Sequence, residues 1–145
     1  MQTSANGIQM IKNFEGSKHD AYQDVVGIWT IGVGHTGPEV GRGLSWTDDQ
    51  IAIALKSDLK RFEDCINASV KVTITQGQFD SLVSLCFNIG TGAFSSSTLV
   101  KLLNNNDVKD AACQFVVWNR AGGVYNSGLL LRRAAEMYEF ARSIA

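Results

Sequence analysis

Glu15, Asp24 and Thr30 fall within residues 14–37, FEGSKHDAYQDVVGIWTIGVGHTG, a stretch that reads as a helix end followed by a glycine-rich β-hairpin. Two carboxylates in unequal surroundings beside a hydroxyl suit glycoside hydrolysis, in which one acid donates a proton while another carboxylate handles water or the sugar cation. Each residue also has an ordinary explanation. Glu15 could be a solvated helix-end residue, Asp24 a turn-former accepting a backbone hydrogen bond, and Thr30 a residue chosen for β propensity. The joint spacing carries the specificity: a glutamate, eight residues, an aspartate, five residues, a threonine.

The flanking sequence supplies elements to position them. Ser4 can cap a first helix with Ile8, Ile11 and Phe14 at helical spacing, and Gly16 is its expected stop. Glu15 then faces the negative end of the helix dipole, which disfavours a charged carboxylate and suits a general acid. After Asp20 the period changes, and residues 21–24 and 29–34 predict an antiparallel hairpin around a Val26-Gly27 turn. Gly32, Gly34 and Gly37 allow backbone to approach another element or a ligand, and beside two acids they suggest the floor of a binding site.

Composition narrows the class. A chain of 145 residues, 45% hydrophobic and 19% charged, fits one domain that buries roughly 70% of its unfolded surface. A net charge of −1 gives no sign of a nucleic-acid partner. Cys65, Cys86 and Cys113 are odd in number and set in apolar surroundings, so they read as reduced, buried thiols. Two histidines without metal-ligand spacing predict neither a metal site nor a cofactor. The N-terminal residues lack the basic and apolar regions of a signal peptide, and no apolar run spans a membrane, so neither export signal nor membrane insertion is expected.

The catalytic stretch resembles that of the bacteriophage lysozymes, the endolysins of glycoside hydrolase family 24, whose hallmark is this E…D…T spacing followed by IGxGH. Glu15, Asp24, Thr30, Ile31, Gly32, Gly34 and His35 match it without a gap. QFDSLVSLCFNIG, GAFSSSTL and GLLLRRAAE resemble the shorter, temperate-phage branch of this T4-like family. The resemblance implies a mainly helical α+β, lysozyme-like fold with a small β-hairpin lobe and a larger helical lobe, joined by a long helix with a cleft between them. It places the small lobe at about residues 15–50, the connecting helix at about 48–68, and the helical lobe at 1–14 and 69–145 of one domain. It implies hydrolysis of the β-1,4 bond between N-acetylmuramic acid and N-acetylglucosamine in peptidoglycan, with inversion as the stereochemistry the resemblance favours and glycan strands as the partner. His35 and Asp58 match the positions of an ion pair in the resembling lysozymes, which would join the small lobe to the connecting helix. A monomer, held in the host cytoplasm until a separate pore-forming protein releases it to the wall, is the expected life cycle.

The later segments fill out this frame. Thr47 and Gln50 form a capping box for a helix over residues 48–68, with Ile51, Leu55, Leu59, Phe62 and Ile66 on one face. Thr75 and Gln78 repeat the box, and the following helix is apolar around nearly its whole circumference, which predicts a buried centre. Asn88 could cap that helix or bond a sugar amide, and Gly34, Phe87, Asn88 and Arg132 are expected to bind substrate. Short helices are expected near residues 98–103 and over 107–118, WNRAGGVYNSG is expected as a loop, and a last helix over 129–143. Arg132 and Arg133 would then oppose the dipole of its first turn and require a carboxylate. Glu15 is one candidate, and Glu136 and Glu139 on the same helix are the others. A lytic transglycosylase and a non-catalytic wall-binding module are the competing functions.

Overall fold

Ser4 opens the first helix, α1 (Ala5–Glu15), in the computed structural model, which describes residues 1–144. Its hydroxyl accepts from the Gly7 N–H at 3.3 Å and its carbonyl from the Ile8 N–H at 2.9 Å. Gly16, at φ 75°, ends the helix, and its N–H donates to the Lys12 carbonyl at 2.8 Å. Glu15 is thereby fixed as the last helical residue. The chain divides into two compact units, Gln9–Lys60 and a second made of Met1–Ile8 with the residues from Arg61 onward.

In the Gln9–Lys60 unit, β1 (Lys18–Gln23), β2 (Trp29–Gly32) and β3 (His35–Thr36) form an antiparallel sheet in that order. A turn with Gly27 at φ 87° joins β1 to β2. The expected hairpin therefore gains a third strand, whose two residues are too few to show alternation in the sequence. Gly32 and Gly34, at φ 64° and 68°, take the chain from β2 into β3. The other edge of β1 is covered by a loop: Ala21 N–H donates to the Leu44 carbonyl at 2.9 Å and Trp46 N–H to the His19 carbonyl at 2.8 Å. The long helix α2 (Asp48–Ser69) starts with the expected capping box, Thr47 N–H to Gln50 Oε1 at 2.8 Å and Gln50 N–H to Thr47 Oγ1 at 3.2 Å. Ile11, Ile31, Val33, Ile51, Leu55 and Leu59 are the buried apolar residues of this unit, with Val40.

The second unit is built around α3 (Gln76–Ile89), which is buried at every position from Gln78 to Cys86. An unbroken buried run of this kind marks a central helix, and truncating one of its large apolar side chains to alanine costs about 2–5 kcal/mol. Its Thr75–Gln78 capping box is complete. Four shorter elements follow, α4 (Thr91–Ser95), α5 (Thr98–Asn104), α6 (Val108–Cys113) and a 3-10 turn (Phe115–Val117), before α7 (Ser127–Ala141) packs on α3. The expected helix over 107–118 is thus broken between Cys113 and Phe115.

Three expectations in this unit are corrected. The segment read as a loop contains a small hairpin, β4 (Arg120–Ala121) and β5 (Val124–Tyr125), turned by Gly122 and Gly123 at φ 56° and 79°. Two successive positive φ angles are what a tight two-residue hairpin turn requires, and glycine supplies them without strain. Helix α7 begins two residues earlier than expected because Asn126 caps it, its side chain accepting from Leu129 N–H at 2.9 Å. Arg132 and Arg133 therefore lie beyond the first turn, where the dipole opposes them little. Finally, Cys113 is exposed at the end of α6, while Cys86 is buried and Cys65 half-buried; all three are free thiols. With small antiparallel sheets among seven α-helices in the described residues, the fold class is mainly helical α+β.

Candidate active site

The backbone of Ile28 ties Asp24 to Thr30. Its N–H donates to Asp24 Oδ1 at 2.9 Å. Its carbonyl accepts from both the Asp24 N–H at 2.9 Å and the Thr30 hydroxyl at 3.0 Å. The same Asp24 oxygen also accepts from Val26 N–H at 2.9 Å, so Asp24 is a turn-former and still keeps Oδ2 clear of hydrogen bonds to the described residues. Thr30, only 5% exposed, spends its one proton on the Ile28 carbonyl and can act toward a ligand only as an acceptor. Sequence reading singled out the aspartate and the threonine as candidates. It did not find Ile28, because the contribution is made by backbone atoms that any residue type carries.

Strand register sorts the side chains by face. Thr30 pairs with Tyr22 on β1 and Thr36 on β3, while Ile31 pairs with His35. Since directly paired residues share a face and successive residues alternate, Thr30 and His35 lie on opposite faces of the sheet. Glu15 is half-buried at the end of α1, and Gly34 is exposed at the β2–β3 turn.

His35 is gripped at both ring nitrogens. Nδ1 lies 2.7 Å from Asp58 Oδ2 and Nε2 lies 2.7 Å from Glu39 Oε1, and the ring packs 5.2 Å from that of Trp46. Partial burial alone would lower the imidazole pKa, but the hydrogen bonds and charges of Glu39 and Asp58 outweigh it, so the pKa rises above 6.5. The hydrogen bond from His35 in turn lowers Glu39 below its ordinary value. Glu39 was not singled out from sequence, although its place four residues after His35 in a short loop was the available signal.

Phe87, Asn88 and Arg132 belong to the other unit. Phe87 packs against Phe62 with ring centroids 5.1 Å apart. Asn88 does not cap α3, whose C-cap is Gly90; its side-chain oxygen accepts from Arg133 Nη1 at 2.9 Å. Glu136, fully buried, collects both arginines of α7: Arg133 Nε lies 2.6 Å from its Oε1, and Arg132 Nε lies 3.3 Å from Oε2, which also accepts from the Ser84 hydroxyl. Burial pushes the Glu136 carboxyl up while Arg133, Ser84 and Arg132 hold it down. Among the described residues no cluster of three or more His, Cys, Asp or Glu is disposed to hold a metal ion, and no helix is long and apolar enough to cross a membrane.

Residues 12–136 match the family model for phage lysozyme. The chain belongs to that family. It is 43% identical over 142 residues to an endolysin of Bacillus phage PZA, an alignment covering 97% of this chain and 55% of that protein. The chain thus spans about half the length of that relative. A solved P22 lysozyme mutant is 42% identical, with a TM-score of 0.90 over 97% of this chain and 98% of its own. The muramidase domain of SpmX from Asticaccaulis excentricus is 36% identical, with a TM-score of 0.88 over 96% of this chain and 97% of that one. Family membership accords with the mainly helical α+β architecture and with Glu15, Asp24 and Thr30 all lying within the matched residues.

Proposed function

We propose that the chain is an endolysin, a muramidase hydrolysing the β-1,4 bond between N-acetylmuramic acid and N-acetylglucosamine of bacterial peptidoglycan, in the temperate-phage branch of glycoside hydrolase family 24. The observation that supports this reading is the backbone of Ile28, whose N–H bonds the Asp24 carboxylate and whose carbonyl bonds the Thr30 hydroxyl. Its family and its endolysin and muramidase relatives supply the substrate class. Water between the two acceptors would donate one proton to Asp24 Oδ2 and the other to Thr30 Oγ1, turning its lone pair toward the anomeric carbon. Glu15, protonated, gives its proton to the glycosidic oxygen as that bond breaks. The water oxygen bonds to the anomeric carbon and its released proton goes to Asp24. Solvent then restores both acids to their starting states. Because the water occupies the space between carboxylate and sugar, the anomeric configuration inverts. Proton donation by a positioned acid contributes about a hundred- to ten-thousandfold in rate.

The substrate-binding set in this reading comprises Gly34, Phe87, Asn88 and Arg132, and Arg132 or Arg133 orients Glu15. The whole chain forms one lysozyme domain and works as a monomer. In this reading it waits in the host cytoplasm and reaches the wall through a separate pore-forming protein. The test is product analysis on purified peptidoglycan. Hydrolysis yields reducing N-acetylmuramic ends with an inverted anomer at early times, seen by NMR. Anhydro ends in the mass spectrum would instead establish a lytic transglycosylase, and no cleavage would leave a binding module. Glu15→Gln should retain the fold and lose cleavage, and a variant that still clears cell walls removes the general-acid assignment.

A further inference from the structure

On the sheet face that carries His35, opposite Thr30, the Gln9–Lys60 unit has an open concavity of about 370 Å³, within the size range of small-ligand sites. The catalytic scheme uses none of it. One wall is a stripe of α2 in which Gln50, Ile53, Ala54, Ser57 and Asp58 follow one another at helical spacing, offset from the buried stripe of Ile51, Leu55 and Leu59. Ile53, 71% exposed, is a large aliphatic side chain with no place in the core. Trp46 and His35, their rings 5.2 Å apart and tilted by 45°, also line it. At the rim stand two carboxylates, Glu39 and Asp58, against the single positive charge available to His35. Each spends one oxygen on the imidazole, and Asp58 Oδ1 accepts no hydrogen bond from a described residue.

We propose that this concavity is a second binding site, which takes the side-chain ammonium of a peptide. An alkyl stem fits against Ile53 and Ala54, the charged head meets the excess negative charge of Glu39 and Asp58, and Trp46 in the lining offers an aromatic ring to the cation. A carboxylate or phosphate ligand would meet repulsion at the same rim. The occupant is the free side-chain amine of a wall stem peptide, which would anchor the enzyme beside the glycan it cuts. The source of the amine rests on the muramidase reading, whereas the recognition of the amine rests on the lining alone.

The test uses the whole chain, ¹⁵N-labelled, titrated at pH 6 with three probes. They are an N-acetylated lysyl tripeptide amide, the same peptide acetylated on its side-chain amine, and chitotriose. The lysyl peptide should give saturable shifts at the Trp46 indole N–H and at the amides of Ile53 and Ala54, and the acetylated peptide should give none. Glu39→Gln, and separately Ile53→Thr, which leaves the His35 pair untouched, should each raise the Kd about five- to tenfold, the equivalent of about 1–1.4 kcal/mol. Absence of saturable shifts, equal shifts with the acetylated peptide, shifts of the same resonances by chitotriose, or unchanged affinity in both variants would each overturn the proposal. Binding is read without turnover, so a chain that fails to cleave glycan can still pass this test, and one that cleaves can still fail it.

Discussion

Replacing His35 with asparagine removes an imidazolium held between Asp58 and Glu39, and its cost should depend on pH in a stated direction. The folded pKa of His35 lies above 6.5, so its contribution is complete below pH 6.5 and disappears as pH rises through the folded value. The folded pKa of Glu39 lies below 4.5, so its contribution is present above 4.5 and lost as pH falls through the lower value. Both are complete between about pH 4.5 and 6.5. The His35 and Asp58 side chains are 18% and 22% exposed, which places their hydrogen bond between a surface pair and a buried one. Charge-assisted bonds contribute about 1.5–3 kcal/mol, and partial exposure reduces this to about 1–2. For a chain of this size that is a fall of about 3–7 °C in Tm at pH 5.5, shrinking by pH 9. The lost packing on Trp46 does not depend on pH and sets the residual deficit at high pH. Thermal unfolding of both proteins at pH 5.5, 7 and 9 measures the difference. An equal deficit at pH 5.5 and 9 would refute the electrostatic argument and leave His35 as a packing residue only.

Three further outcomes are expected. Thr30→Val preserves the shape of a 5% exposed residue but removes the acceptor for water, so turnover should fall at least about a hundredfold with a small change in Tm; activity within threefold of the parent would free Thr30 from the mechanism. Arg133→Met strips a fully buried carboxylate of one of its two guanidinium partners, which should destabilise by about 3 kcal/mol, toward the low end for broken buried pairs because Arg132 remains; a denaturant midpoint shift worth under about 1 kcal/mol would contradict that. Gly16→Ala meets no atom within 4 Å, so its cost is the left-handed backbone alone, about 1–2 kcal/mol. Because Glu15 immediately precedes it, activity should fall more than stability, as paired unfolding and turnover measurements would show.

Local chemistry made much of the chain legible. Gly16 as a helix stop, and the Thr47–Gln50 and Thr75–Gln78 capping boxes, are complete within a few residues, so the sequence specifies them without reference to anything distant. What failed was short or cooperative. Strands β3, β4 and β5 have two residues each, too few for a period to register, and exist because a partner strand pairs with them. Cys113 is exposed where its apolar neighbours predict burial, because it is the last residue of the short helix α6.

The sequence by itself determined the helix that ends at Glu15 and the hairpin that carries Asp24 and Thr30, because these depend on glycines, caps and periodicity within about thirty residues. Tertiary structure decided which groups face one another. It decided that the Ile28 backbone joins Asp24 to Thr30, that His35 has Glu39 as well as Asp58, and that Glu136 is a partner of both arginines. Hydrogen bonds from backbone atoms and choices among several like-charged partners leave no distinct mark in composition or spacing, since their energies depend on distances that only the folded chain sets.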